Sequence, residues 1–181
     1  KHQIISANIT GHSMGGKLAM NLALKYPEKV KKLVVVDIAP KEYPRKHDFI
    51  IDSLQSLKLE NFSSRKELEH ELSKTIKDIK IIQFLLKNIK RDKNKDFAWK
   101  MNLNSIIKNY DNINKAIKCD YPFEGPTLFI KGGLSDYITE DDIECIKTLF
   151  PNFKLITVEN AGHWVHAEQS EKFIEVLTEF I

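Results

Sequence analysis

Residues 4–17 read Ile-Ile-Ser-Ala-Asn-Ile-Thr-Gly-His-Ser-Met-Gly-Gly-Lys, and the fold turns on them. Ile4 to Thr10 combines β-branched residues with apolar alternation and predicts a strand. Gly11-His12-Ser13-Met14-Gly15 follows without a spacer, and Leu18, Leu22 and Ala23 then recur at helical spacing until Tyr26-Pro27 ends the helix. A G-x-S-x-G between strand and helix marks a turn so sharp that Ser13 is held in a strained backbone conformation. Side chains two positions away would crowd that turn, hence glycine at 11 and 15. The strain lifts the Ser13 hydroxyl clear of the sheet edge, which makes it a candidate nucleophile. The Met14 N–H, at a helix N-terminus, becomes a candidate oxyanion-hole donor.

Working outward, Leu33 to Asp37 is a short, continuously apolar run ending in a carboxylate. Its lack of alternation fits a parallel strand buried on both faces. Strand pattern returns at Thr127–Ile130 before Gly132-Gly133-Leu134-Ser135-Asp136, and again at Lys154–Val158 before Gly162-His163-Trp164. Helices are expected over about Glu140–Phe150 and Ser170–Phe180. This repeated strand–helix order argues for a parallel α/β sheet. Residues 44–118 differ. Phe49, Ile50, Leu54 and Leu57 form one helical stripe, and Ser64 with Glu67 is a capping box opening a second through Leu68, Leu72 and Ile76. Ile81 to Ile89 predicts a third helix, Ile106–Ile117 a fourth, and Lys90–Lys95 an exposed turn. The stretch reads as a helical insertion without a sheet of its own.

A serine hydroxyl needs a base to take its proton. Six histidines are available: His2, His12, His47, His70, His163 and His166. His163 is the candidate, because it follows the last strand, at the carboxyl edge where parallel sheets carry their functional loops. The order serine first, histidine last, also matches a nucleophile elbow. His166 is expected to pack or cap at the next helix, His12 to point away from the serine, and His47 and His70 to lie on the surface of the insertion or pack within it. The acid that orients His163 is open at this point between Asp37 and Asp136, both at strand ends.

Bulk composition narrows the classes. The 181 residues carry 28 Lys+Arg against 25 Asp+Glu, a net +3 spread along the chain, so no nucleic-acid partner is expected. Two cysteines, Cys119 and Cys145, are too few for a disulfide framework, and no metal-ligand spacing or dinucleotide glycine pattern is present. No apolar run reaches the length of a membrane span. The expected setting is cytoplasmic, with a mitochondrial one left open because the sequence starts at Lys1.

With these residues placed, the sequence resembles the α/β-hydrolase superfamily, and within it the YbfF-like esterases and eukaryotic abhydrolase-domain proteins. The residues that carry the resemblance are Gly11 to Lys17, Val36-Asp37-Ile38-Ala39-Pro40, Ile82 to Lys87, Gly132 to Ser135, and Ala161 to Glu168. It implies a serine hydrolase of carboxylic esters or thioesters with short to medium acyl groups, acyl-CoA among them, with no cofactor. It implies Asp37 as the acid and places Ser135 at the usual acid position, although Asp136 beside it keeps an Asp136 triad open. It further implies the C-terminal part of the fold, strands five to eight, with a helical lid after strand six. Core would occupy 1–43 and 121–181, and the lid 44–120. Phe49, Leu54, Leu85, Leu86 and Trp99 are its candidate acyl-chain liners. N-terminal strands would be missing, so the first strand would be an unpaired edge completed by an upstream segment or by self-association. The alternatives are a ligand-binding protein on the same fold and an inactive truncated fragment.

Overall fold

The computed structural model describes residues 3–46 and 48–181. In chain order the elements begin with β1 (Ala7–His12), α1 (Met14–Lys25) and β2 (Val30–Val36). Then come α2 (Asp48–Ser56), α3 (Arg65–Ser73), α4 (Ile79–Leu86), β3 (Ile89–Arg91), β4 (Phe97–Trp99), α5 (Leu103–Lys108) and α6 (Tyr110–Asn114). The chain closes with β5 (Thr127–Gly132), α7 (Ile143–Leu149), β6 (Phe153–Val158), α8 (Val165–Glu168) and α9 (Ser170–Phe180). They divide into two compact units, residues 1–43 with 115–181, and residues 44–114.

The first unit is a parallel sheet in the order β1-β2-β5-β6. β2 and β5 are central, and their continuous apolar runs are buried on both faces, as parallel strands require. Alternate residues serve opposite layers. Leu33, Val35 and Phe129 pack with Ala19, Met20 and Ala23 of α1 and Ile146 and Leu149 of α7. Val34, Val36, Leu128 and Ile130 face Val165 of α8 and Val176 of α9. Phe129 and Phe150 are fully buried in edge-to-face contact at 5.7 Å, and truncating either would cost roughly 3–5 kcal/mol. Among the described residues β1 is an edge strand, beginning at Ala7 rather than at Ile4.

The second unit buries Leu54, Leu68, Leu72, Ile82, Leu85 and Phe97 in its own core. Ser64 caps α3 by accepting the Glu67 N–H, and the Glu67 carboxylate reaches back to the Ser63 N–H. Three expectations need correction here. The exposed turn expected at Lys90–Lys95 is present, but it closes an antiparallel β3–β4 hairpin, so this unit has a small sheet of its own. The single helix expected over Ile106–Ile117 is two short ones broken at Asn109, and Ile117 instead donates its N–H to the Pro40 carbonyl within the first unit. Leu85 and Leu86 pack in this core and are not among the residues that line its cavity, whereas Leu54 and Trp99 are. Among the described residues no helix is long and apolar enough to cross a membrane.

Candidate active site

β1 runs straight into Ser13, whose backbone sits at φ 53°, ψ −122°, a region non-glycine residues rarely enter. Its N–H donates to the Val36 carbonyl at 3.0 Å, and its own carbonyl accepts from Gly16 and Lys17, so both sides of the strained residue are tied down. A Cβ on Gly11 would stand 2.2 Å from the Gly15 carbonyl oxygen, which explains glycine there. The expected crowding at Gly15 is not found, since a Cβ there meets nothing within 4 Å. The close approach falls on Gly16, where a Cβ would be 2.5 Å from Ile38 Cγ2 and 3.0 Å from the Gly11 oxygen. Met14 is the first helical residue, so its N–H has no carbonyl a turn earlier in the helix and is left for other acceptors.

His163, in the loop after β6, meets this serine: its Nε2 lies 2.9 Å from Ser13 Oγ. Its Nδ1 lies 2.8 Å from Asp37 Oδ2. A carboxylate only accepts, so the proton sits on Nδ1, and Nε2 is left to accept from the serine hydroxyl. Asp37 follows β2 at φ 49° and is 0% exposed. Its carboxylate is fully engaged, with Oδ1 accepting the Gly132 N–H at 2.9 Å and Oδ2 accepting the Ser135 hydroxyl as well as the imidazole. Asp136 is exposed, and the histidine turns to Asp37 instead.

Of the other histidines, His12 lies beside His163. Its Nε2 donates to the His163 carbonyl at 2.8 Å, and its ring is 4.7 Å from that of His163 and 4.8 Å from that of His166. Burial pushes its pKa down to about 4, with the neighbouring imidazoles adding to the effect, so it is a neutral donor at ordinary pH. His166 packs edge-on against Phe173 of α9, the packing role expected of it. His70 lies on α3 in the second unit, and His2 and His47 lie outside the described residues.

Two residues were not singled out from sequence. Tyr137 stacks on His163 with ring centroids 3.8 Å apart and planes 18° from parallel. Its carbonyl accepts the Tyr43 hydroxyl at 2.6 Å, and that hydroxyl also accepts the Ala39 N–H. Lys17 is buried, and its ammonium donates to the Lys41 carbonyl at 3.1 Å and the Lys115 carbonyl at 2.6 Å. Burial lowers its pKa to about 8. Lys17 shares the buried face of α1 with Met20 and Ala23, whereas Leu18, on the expected apolar stripe, is 72% exposed. Among the described residues no group of three or more His, Cys, Asp or Glu could hold a metal.

A serine on a sharp strand-to-helix turn at the carboxyl edge of a parallel sheet, with a carboxylate and a histidine on later strand ends, is the arrangement of the α/β-hydrolase fold. The family model described as alpha/beta hydrolase fold matches residues 2–170, and the chain belongs to that family. Among curated proteins it is 37% identical over 184 residues to the sn-1-specific diacylglycerol lipase ABHD11 of Mus musculus, covering 98% of this chain and 60% of that protein. It is 31% identical to the esterase YbfF of Escherichia coli, covering 99% of this chain and 68% of that one. A solved structure described as a marine microorganism esterase superposes with a TM-score of 0.93 at 47% identity, over 98% of this chain and 70% of that chain. The chain spans 56–60% of the length of the vertebrate relatives it matches.

Proposed function

We propose that Ser13, Asp37 and His163 are the nucleophile, acid and base of a serine hydrolase that cleaves carboxylic esters or thioesters of short to medium acyl chains, acyl-CoA among them. One observation carries the reading: an unbroken hydrogen-bonded chain from the Ser13 hydroxyl through both His163 nitrogens to a buried carboxylate. The naming of its relatives as esterases and a lipase supports the ester as substrate.

In this reading Ser13 Oγ attacks the acyl carbon while His163 Nε2 takes its proton. The carbonyl becomes an oxyanion facing the Met14 N–H, and Asp37, still ionised, stabilises the imidazolium. Collapse breaks the bond to the leaving alcohol or thiol, which receives the proton from Nε2. Water, deprotonated by the same nitrogen, then cleaves the acyl-Ser13 ester, and the proton returns to Oγ. We assign the second oxyanion donor to chain that pairs along the open edge of β1.

The helical unit is assigned the role of a lid that selects the acyl chain. Leu54 and Trp99 line a cavity of about 440 Å³ in it, together with Leu57, Met101 and Leu103. Gln55, Asn102 and Asn104 complete the lining, so its wall is mixed polar and apolar, with room for an acyl chain beside a polar head group. A fluorophosphonate probe is expected to label Ser13. Absence of labelling in the full-length protein, or labelling that survives Ser13→Ala, would overturn the mechanism.

A further inference from the structure

Charge is divided unevenly between the two units. Residues 44–114 hold 15 Lys and Arg against 10 Asp and Glu, a net +5, whereas the rest of the chain holds 13 against 15 and is net −2. The excess gathers in residues 74–100, with nine basic side chains, all exposed, against three acidic ones. Two of those three carboxylates are occupied by backbone: Asp78 accepts the Lys80 N–H, and Asp92 accepts those of Asn94 and Asp96. Among the described residues, Lys77, Lys80, Lys87, Lys90 and Lys93 make no ion pair.

Apolar side chains flank the same lysines. Ile79 and Phe84 of α4 are 47% and 49% exposed, while Ile82, Leu85 and Leu86 turn into the core. At about 100° per residue the outer arc of the helix runs Ile79, Gln83, Lys87, Lys80, Phe84. The cation-bearing surface is therefore bordered by hydrocarbon on both sides. Lys100 donates to the Lys87 carbonyl at 2.6 Å and so fastens the β3–β4 hairpin, with Lys90 and Lys93, to the end of this helix.

We propose that this face, α4 with the β3–β4 hairpin, docks the protein on an anionic lipid bilayer. Flexible lysine stems let ammonium groups reach phosphates while Ile79 and Phe84 enter the acyl boundary. A nucleic acid fits less well. The one arginine of the stretch, Arg91, already donates to the Ser63 and Lys95 carbonyls and lies 4.0 Å over the Phe97 ring. An acidic protein would answer the charge but not the paired apolar flanks.

The test is sedimentation of the protein with phosphatidylglycerol-rich vesicles and with neutral phosphatidylcholine vesicles. Binding is expected to the anionic set alone and to be lost at high salt. Lys80→Glu with Lys87→Glu should weaken it by roughly tenfold or more, and Ile79→Asp should weaken it with the melting temperature kept. Equal binding to both vesicle types, or anionic binding untouched by these changes, overturns the proposal. Competition by duplex RNA that ignores Ile79→Asp would do the same and assign the face to polyanions. Ser13→Ala should bind vesicles normally, so the docking face and the hydrolase reading fail separately.

Discussion

The sharpest test of the site is to exchange each candidate acid for its amide. In Asp37→Asn the buried side chain keeps its shape but has one acceptor oxygen where three donors converge, the Gly132 N–H, the His163 ring and the Ser135 hydroxyl. If the amide oxygen stays on Gly132, its NH₂ faces His163 Nδ1, and the imidazole proton must move to Nε2. That nitrogen then donates to Ser13 instead of accepting from it, and the base is lost. If the amide flips, its NH₂ meets the Gly132 N–H, leaving buried donors unpaired at about 1–3 kcal/mol. The imidazolium also loses a counter-charge worth about 4 kcal/mol at an effective dielectric near 20, or roughly a thousandfold in rate. With the tautomer effect, kcat/KM for a p-nitrophenyl ester should fall about 10³–10⁴-fold, mostly in kcat. Asp136→Asn, on an exposed side chain, should change it by less than about threefold. The assay is steady-state hydrolysis by the full-length protein across pH, with the melting temperature of each variant recorded. Near-normal turnover in Asp37→Asn alongside collapse in Asp136→Asn would refute the assignment.

Two further outcomes follow from the elbow and its neighbours. Gly16→Ala should destabilise by roughly 1–3 kcal/mol, because the new methyl meets Ile38 and the Gly11 backbone, while Gly15→Ala should leave stability unchanged or slightly raised; thermal melts in which the order is reversed would contradict the packing. His12 titrates near 4 when folded and near 6.5 when unfolded, so the unfolded chain binds the extra proton first as pH falls. Stability tied to this group is whole above about pH 6.5 and is lost progressively toward pH 4, by roughly 1–2 kcal/mol once partial exposure is allowed for. Urea unfolding across that window should show the slope in the wild type and a flatter one in His12→Gln.

The parts of the site legible in sequence are those written in local chemistry. A strained serine needs glycine near it and a helix after it, so the elbow could be read from residues 4–17 alone, although the tight position proved to be Gly16 and not Gly15. His163 was legible from its place after a strand. The choice of Asp37 came only from the family resemblance, because two strand-end carboxylates 99 residues apart look alike until the backbone shows which one turns inward. The partnerships of His12, Lys17 and Tyr137 escaped for the same reason, each joining segments distant in sequence. In the helical unit the β3–β4 hairpin escaped because its strands are three residues long, and Lys90 and Arg91 of β3 are exposed, leaving no alternation to read. The break at Asn109 escaped because Asn109 satisfies the turn itself, its side chain donating to the Ser105 carbonyl.

One feature of the sheet explains how two strained residues can be held in register. His12 pairs with Val36, and Val36 with Ile130, so β1, β2 and β5 reach the same level of the sheet together. The residue after each of the first two is Ser13 and Asp37, and both adopt positive φ. Each nevertheless continues the ladder by one rung, Ser13 donating to Val36 at 3.0 Å and Asp37 donating to Ile130 at 2.8 Å. The N–H is thus fixed by the neighbouring strand before the chain turns, and the direction of the side chain is set by the sheet instead of by a loop. Strain of this kind costs on the order of 1–3 kcal/mol per residue. It persists because relaxing either φ would break a buried ladder bond and move the hydroxyl or the carboxylate off the imidazole between them. The separation of Ser13 and Asp37 is therefore a property of strand register, which places both groups before any ligand arrives.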